Sequence, residues 1–177
     1  MLRSCLILIA ATGFAQVALA AELTAPLLPA AKGKIQCYSP DPAHKTCKSM
    51  TSYRVGPRGD LESIATVLIS SGPQVLMETI APVEIIEGKV CGAISEHDFL
   101  GANISIDGRP GDMQQTKQYT RQAAGSAKGL IGRYMCTSFV TDADKVKAKI
   151  SVDNAPRPDM DQQVVWVALD DGYKIAN

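Results

Sequence analysis

The sequence predicts an α+β domain: an antiparallel sheet of about five to seven strands, covered on one face by one main helix over residues 113–136, and stabilised by disulfides. Three observations carry this reading. Branched apolar runs separated by turn residues recur between residues 61 and 93. A long stretch from residue 113 carries small and apolar residues at threes and fours. Four cysteines remain after a removable leader, an even number that suits two bridges.

The leader is residues 1–20. MLR gives a positive start, LILIAATGFAQVALA is apolar but too short to anchor stably across a bilayer, and ALAA at 18–21 has the small-x-small pattern of a signal-peptidase site. Cys5 precedes most of the apolar run, whereas a lipid-bearing cysteine would follow it. The expected product starts at Ala21, has no membrane span and is exported to the periplasm or beyond. Loss of Arg3 leaves seventeen basic residues against eighteen acidic ones, a net charge of −1. With no basic run and few, scattered aromatics, nucleic acid is not an expected partner.

Residues 21–33, AELTAPLLPAAKG, read as a flexible leader to a single domain at 34–177. Cys37 and Cys47 bracket YSPDPAHKT, a compact loop, and their pairing leaves Cys91 with Cys136. In the chain-entropy model the two bridges contribute roughly 3 and 4 kcal/mol. There is no C-x-x-C motif and no zinc-like spacing, so structural bridges are favoured over redox or metal chemistry. KSMTSYRVGPRGD follows, with Gly56, Pro57 and Gly59 forcing turns.

LESIATVLIS, from Leu61, reads as a strand; a helix is the alternative, because short apolar runs are ambiguous in period. QVLMETI is expected to stop at Pro82. VEII-EG-KVCGAI reads as a hairpin hinged on Glu87-Gly88. ANISID alternates and turns at Gly108 and Pro110. Asp112 with Gln115 makes a capping box, opening the helix in QQTKQYTRQAAGSAKGLIGRYMC. Its inward positions are expected at Thr120, Ala123, Ala127, Ile131 and Tyr134, with the Cys91–Cys136 bridge tying helix end to sheet. VVWVAL-DDG-YKIAN closes the chain as a strand, a turn and a short strand.

One phrase is written twice. ANISIDGRP at Ala102 returns as AKISVDNAP at Ala148, within a weak echo of residues 91–112 by residues 136–159. The matched residues are core-type Ala, Ile and Val, strand serines, and aspartates where a turn begins. No histidine is repeated with Ser105 or Ser151, so the echo answers to folding and not to serine chemistry.

The site signals are sparse. His97 lies between Glu96 and Asp98, a set that would suit a general base or a metal if an irregular turn gathered it. His44 sits apart from it. Asp159 and Asp161, and Asp170 and Asp171, lack EF-hand spacing and fit turns. No phosphate loop, nucleophile elbow or metalloprotease helix is present, and no cofactor is expected. The preferred function is therefore an exported, non-catalytic binding module of the bacterial envelope, meeting a protein or cell-wall component. Tyr38, His44 and Lys45 on the disulfide loop, and Trp166 if exposed, are its contact candidates. The rivals are a small hydrolase-like enzyme using His97 with Glu96 or Asp98, and a structural envelope protein that self-associates through sheet edges.

Overall fold

The computed structural model describes residues 23–142 and 145–176, and the expected signal segment lies outside them. Eight strands form its body: β1 (Ile35–Tyr38), β2 (Ser49–Val55), β3 (Leu61–Ser71), β4 (Gln74–Ile86), β5 (Lys89–Ala93), β6 (Tyr134–Asp142), β7 (Lys145–Val152) and β8 (Gln162–Val167). Each pairs antiparallel with the next in the chain. β8 then returns to β1, Ile35 opposite Val167 and Tyr38 opposite Val164. The result is a closed eight-stranded antiparallel barrel, and closure removes the sheet edges.

This overturns the α+β reading. The helices are short: α1 (Leu28–Ala31), α2 (Glu96–Leu100) and α3 (Met113–Ser126). None covers the barrel wall as a main helix. α3 does start on the expected capping box, Gln115 N–H donating to Asp112 Oδ1 at 2.8 Å and Asp112 N–H to Gln115 Oε1 at 3.0 Å. It ends at Ser126, ten residues before Cys136, and buries Thr120 and Ala124. Gly132, at φ +82°, takes a left-handed turn into β6. Tyr134 and Cys136 are therefore strand residues. α3 packs on α2 and on an accessory hairpin, Asn103–Ile106 with Arg109–Pro110, which adds to the outer end of β4.

The register sets two faces. Along β4, Val75 and Met77 are buried while Ile80, Pro82, Glu84 and Ile86 are exposed, the alternation expected of a strand with one face inward. Outward positions carry Glu62, Glu78, Glu84, Lys145, Lys147 and Lys149, where a lipid-facing strand would carry an apolar band. Among the described residues no helix is long and apolar enough to cross a membrane.

The cores lie at the barrel's ends and on one outer face. Residues 23–33, expected as a mobile leader, fold across one end. Leu27 is wholly buried there against Leu61, Val90, Phe139 and Trp166. At the other end Val75, Met77, Ala102 and Ile104 pack with Phe99 and Tyr119 beneath α2 and α3. Outside β1 and β8, Cys37, Cys47 and Val167 pack under Tyr173. There a short parallel pair, Thr46–Cys47 with Lys174–Ile175, brings the chain's end onto the disulfide loop.

Both disulfides join the cysteines paired from their spacing, Cys37 to Cys47 and Cys91 to Cys136. The second connects directly opposed residues of neighbouring strands β5 and β6, not a helix end to a sheet.

The repeated phrase forms the same local device twice. In each copy a strand turns through two residues at positive φ, Asp107-Gly108 and Asp153-Asn154. Each aspartate then clasps the first residue of a neighbouring strand. Asp107 N–H donates to Gln74 O and its Oδ1 accepts from Gln74 N–H, at 2.9 and 3.0 Å. Asp153 does the same with Tyr134, both bonds at 2.8 Å. Glu87-Gly88 makes a third hairpin turn of this kind, between β4 and β5.

Candidate functional site

An eight-stranded barrel has an interior just wide enough either to be filled by side chains or to hold one small ligand. Here the inward positions are small. Ser49, Thr51, Ser63, Ala65, Thr79 and Thr137 project where larger residues would fill the space, and a cavity of about 410 Å3 remains. Val67, Met77, Val90, Met135 and Ile150 supply its apolar surface. Such a volume falls within the range of small-molecule sites, which combine apolar walls with a few polar groups.

One polar cluster lies beside the closed end. Gln36 is completely buried. Its Oε1 accepts from Tyr38 Oη–H at 2.8 Å and from Tyr53 Oη–H at 2.9 Å. Burial pushes the Tyr38 phenol up to about 12. Burial, reinforced by Tyr38 beside it, pushes Tyr53 well above the usual phenol range. Both rings line the cavity as neutral phenols bonded to the Gln36 amide. The Gln36 Nε2 donor is buried without a partner. Turning the amide over would leave its oxygen in that position instead, so either orientation leaves one buried polar atom unsatisfied. Trp166, opposite Gln36 in the register, packs against Tyr53 with ring centroids 6.5 Å apart and the rings tilted by 48°.

The other distinctive feature is an interruption in the wall. Along β4, the accessory hairpin pairs with residues 75–78 and β5 with residues 84–86. Residues 79–83 are thus paired only on the β3 side. A proline fits such a gap, and Pro82 sits inside β4 rather than ending it. Pro82 O also comes so close to Gly92 that a Cβ there would lie 2.9 Å from it. Ile94, Ser95, Asp98 and Phe99 line the cavity on this side. Asp98 is half-buried, and burial pushes its carboxyl above the ordinary range. The Ser95 backbone N–H, which bonds that carboxyl, and the nearby His97 oppose the effect of burial, and among the described residues no ion pair joins it.

The residues singled out in the sequence are dispersed. Glu96 and His97 are exposed on α2, and no side-chain hydrogen bond or ion pair joins either to Asp98. Of the three, Asp98 alone reaches the cavity. The irregular turn that a His-Glu-Asp site needed is instead one helical turn capped by Ser95, whose Oγ accepts from His97 N–H at 3.1 Å. His44 is exposed and pairs with Asp41, Nδ1 to Oδ2 at 2.6 Å. That contact holds the Asp41 carboxyl below its ordinary range. Lys45 Nζ donates to Asp171 O at 2.9 Å. The Cys37–Cys47 loop thus shows His44 and Lys45 to solvent, while Tyr38 turns inward and Trp166 belongs to the closed-end core; the four do not form one surface.

The aspartates considered as cation ligands are occupied by turns and ion pairs. Asp161 accepts from Ile150 N–H at 3.0 Å and neighbours Lys147 and Lys149. Asp159 pairs with Arg157, and Asp171 accepts from Ala168 N–H. Sequence reasoning missed Gln36, Tyr53 and the hydroxyl-bearing residues around them. Their signal was the alternation of Ser49, Thr51 and Tyr53, which is visible only if small polar residues are allowed to face inward. No family model, curated protein or solved structure matches the chain.

Proposed function

We propose that this chain is a non-catalytic binding module whose barrel encloses one small, largely apolar ligand. The observation that carries the reading is the 410 Å3 interior space, walled by apolar and hydroxyl-bearing side chains in a barrel whose two ends have separate packed cores. A protein of this length can bury a continuous core, yet its central layer is built from Ala, Ser and Thr. A barrel that leaves this space between two packed cores, where larger apolar side chains would fill it, supports a binding role. The two disulfides support a working place outside the reducing cytosol, in the periplasm or beyond it.

The rivals find less support. The enzyme reading needs His97 beside a carboxylate, and the exposed His97 makes no such contact. The self-associating reading needs long sheet edges, and the main sheet closes on itself, leaving short edges such as residues 79–83 of β4 and the accessory hairpin.

The test is titration with N-phenylnaphthylamine, an apolar dye whose emission rises and shifts to the blue in dry surroundings. The expected result is saturable uptake by folded protein at one dye per chain, displaced by decanol and lost in Ala65→Phe. Uptake that never saturates, or that survives Ala65→Phe unchanged, would place the dye elsewhere and contradict the proposal.

A further inference from the structure

The cavity's charge and hydrogen-bonding character select among apolar ligands. Asp98 is the one carboxylate among its lining residues, and no lysine, arginine or histidine lines it. At the closed end Tyr38 and Tyr53 are both bonded to the Gln36 amide, and the remaining polar lining is hydroxyl and amide groups that carry no charge. An anionic headgroup beside Asp98 would meet a carboxylate with no compensating cation in the lining, an arrangement that costs free energy in a partly desolvated site.

Asp98 adds a positive preference. It stands at the interrupted stretch of wall, half removed from water, and no residue lining the cavity carries a positive charge to pair with it. A carboxylate so placed gains from a cationic donor, because charge-assisted hydrogen bonds are stronger than neutral ones.

Resting on the barrel-binding reading above, we infer that the ligand is a hydrophobic amine, its ammonium group at Asp98 and its apolar body between Ala65, Thr79, Val90 and Thr137. Burial of the Asp98 carboxyl, which outweighs the opposing Ser95 N–H and His97, fits a group whose charged form gains from a cation beside it. Because Asp98 keeps part of its exposure, solvent screens the pair and the preference is moderate, about tenfold in affinity.

The experiment uses three compounds with the same ten-carbon body, decylamine, decanol and decanoate, titrated calorimetrically near neutral pH into wild-type protein and Asp98→Asn. The inference expects decylamine to bind about tenfold more tightly than decanol, with decanoate weakest. It expects Asp98→Asn to bring decylamine to the affinity of decanol, with circular dichroism reporting that the variant is folded. Decanoate binding as well as decylamine, or an amine-to-alcohol ratio unaltered by Asp98→Asn, would overturn it. Decanol binding with no preference for the amine would overturn this inference and leave the barrel-binding reading standing. If none of the three binds, that reading fails and the inference with it.

Discussion

Replacing Ala65 by leucine separates a hollow barrel from a packed one by the sign of its effect. Ala65 faces inward at mid-height on β3, opposite Thr51 on β2 and Thr79 on β4. All three line the cavity. The substitution adds three carbons. Were the interior packed to ordinary density, they would force neighbours off their rotamers at a cost of about 1–3 kcal/mol. In a 410 Å3 space the carbons enter unoccupied volume. At about 0.8 kcal/mol per buried methylene, the gain is bounded near 2.4 kcal/mol. Fixing the new side chain returns roughly 0.5–1 kcal/mol of that, and incomplete contact takes more. We expect a net stabilisation of about 1 kcal/mol, read as a higher urea midpoint at unchanged slope. Destabilisation by 1 kcal/mol or more, with the slope unchanged, would refute the reasoning.

Three further outcomes follow from particular contacts. Replacing Cys91 and Cys136 by serine should cost about 4 kcal/mol and replacing Cys37 and Cys47 about 3, since the closed loops span 45 and 10 residues; equal costs in denaturant unfolding would count against the entropic origin. Gly92→Ala should destabilise by about 1–3 kcal/mol, because its Cβ would meet Pro82 O at 2.9 Å, and a neutral effect in thermal melts would show that β4 and β5 can separate freely. Tyr38 has a folded-state pKa raised from 10.0 to about 12, so folding favours its protonated form. That contribution is complete below pH 10 and is lost as pH rises towards 12, a fall of about 2–3 kcal/mol. Denaturant midpoints across this window should drop more steeply for wild type than for Tyr38→Phe, and parallel curves would contradict the assigned burial.

The parts of this fold that could be read in advance are those written locally. The turn at Glu87-Gly88, the capping box at Asp112 and Gln115, and the twin hairpins each rest on a few adjacent residues whose backbone preferences decide the outcome. Closure is different. β1 and β8 lie at opposite ends of the chain, and nothing near either one announces the other. β2 also lacks a strand's usual signature, because its inward residues Ser49, Thr51 and Tyr53 are as polar as its outward ones. A wall built to leave room for a ligand loses the apolar alternation that marks a packed strand. β6 was hidden for another reason. The small residues before it continue a helical spacing through Ala127 and Ile131, although the helix ends at Ser126 and Gly132 turns the chain before Tyr134. With β1, β2 and β6 unrecognised, five strands remain, which suggests an open sheet needing a helix to cover it.

The candidate site was hidden for the same physical reason. Sequence reading looks for charged and nucleophilic clusters, which drew notice to His97, whereas this cavity is defined by what its side chains do not fill. Only Asp98 and Tyr38 were noticed beforehand, each in another role. Gln36 stood between a leader and a cysteine with no local sign that it would be fully buried between two phenols and a tryptophan.

The central claim is that ligand enters the barrel and does not rest on its outer face. Nuclear Overhauser contacts between bound decanol and assigned methyl groups test it most directly. The account predicts contacts to Ala65, Thr79, Val90 and Thr137, which line the interior. Contacts to the exposed outer residues Ile80, Ile86 and Val140, with none to the interior methyls, would contradict it.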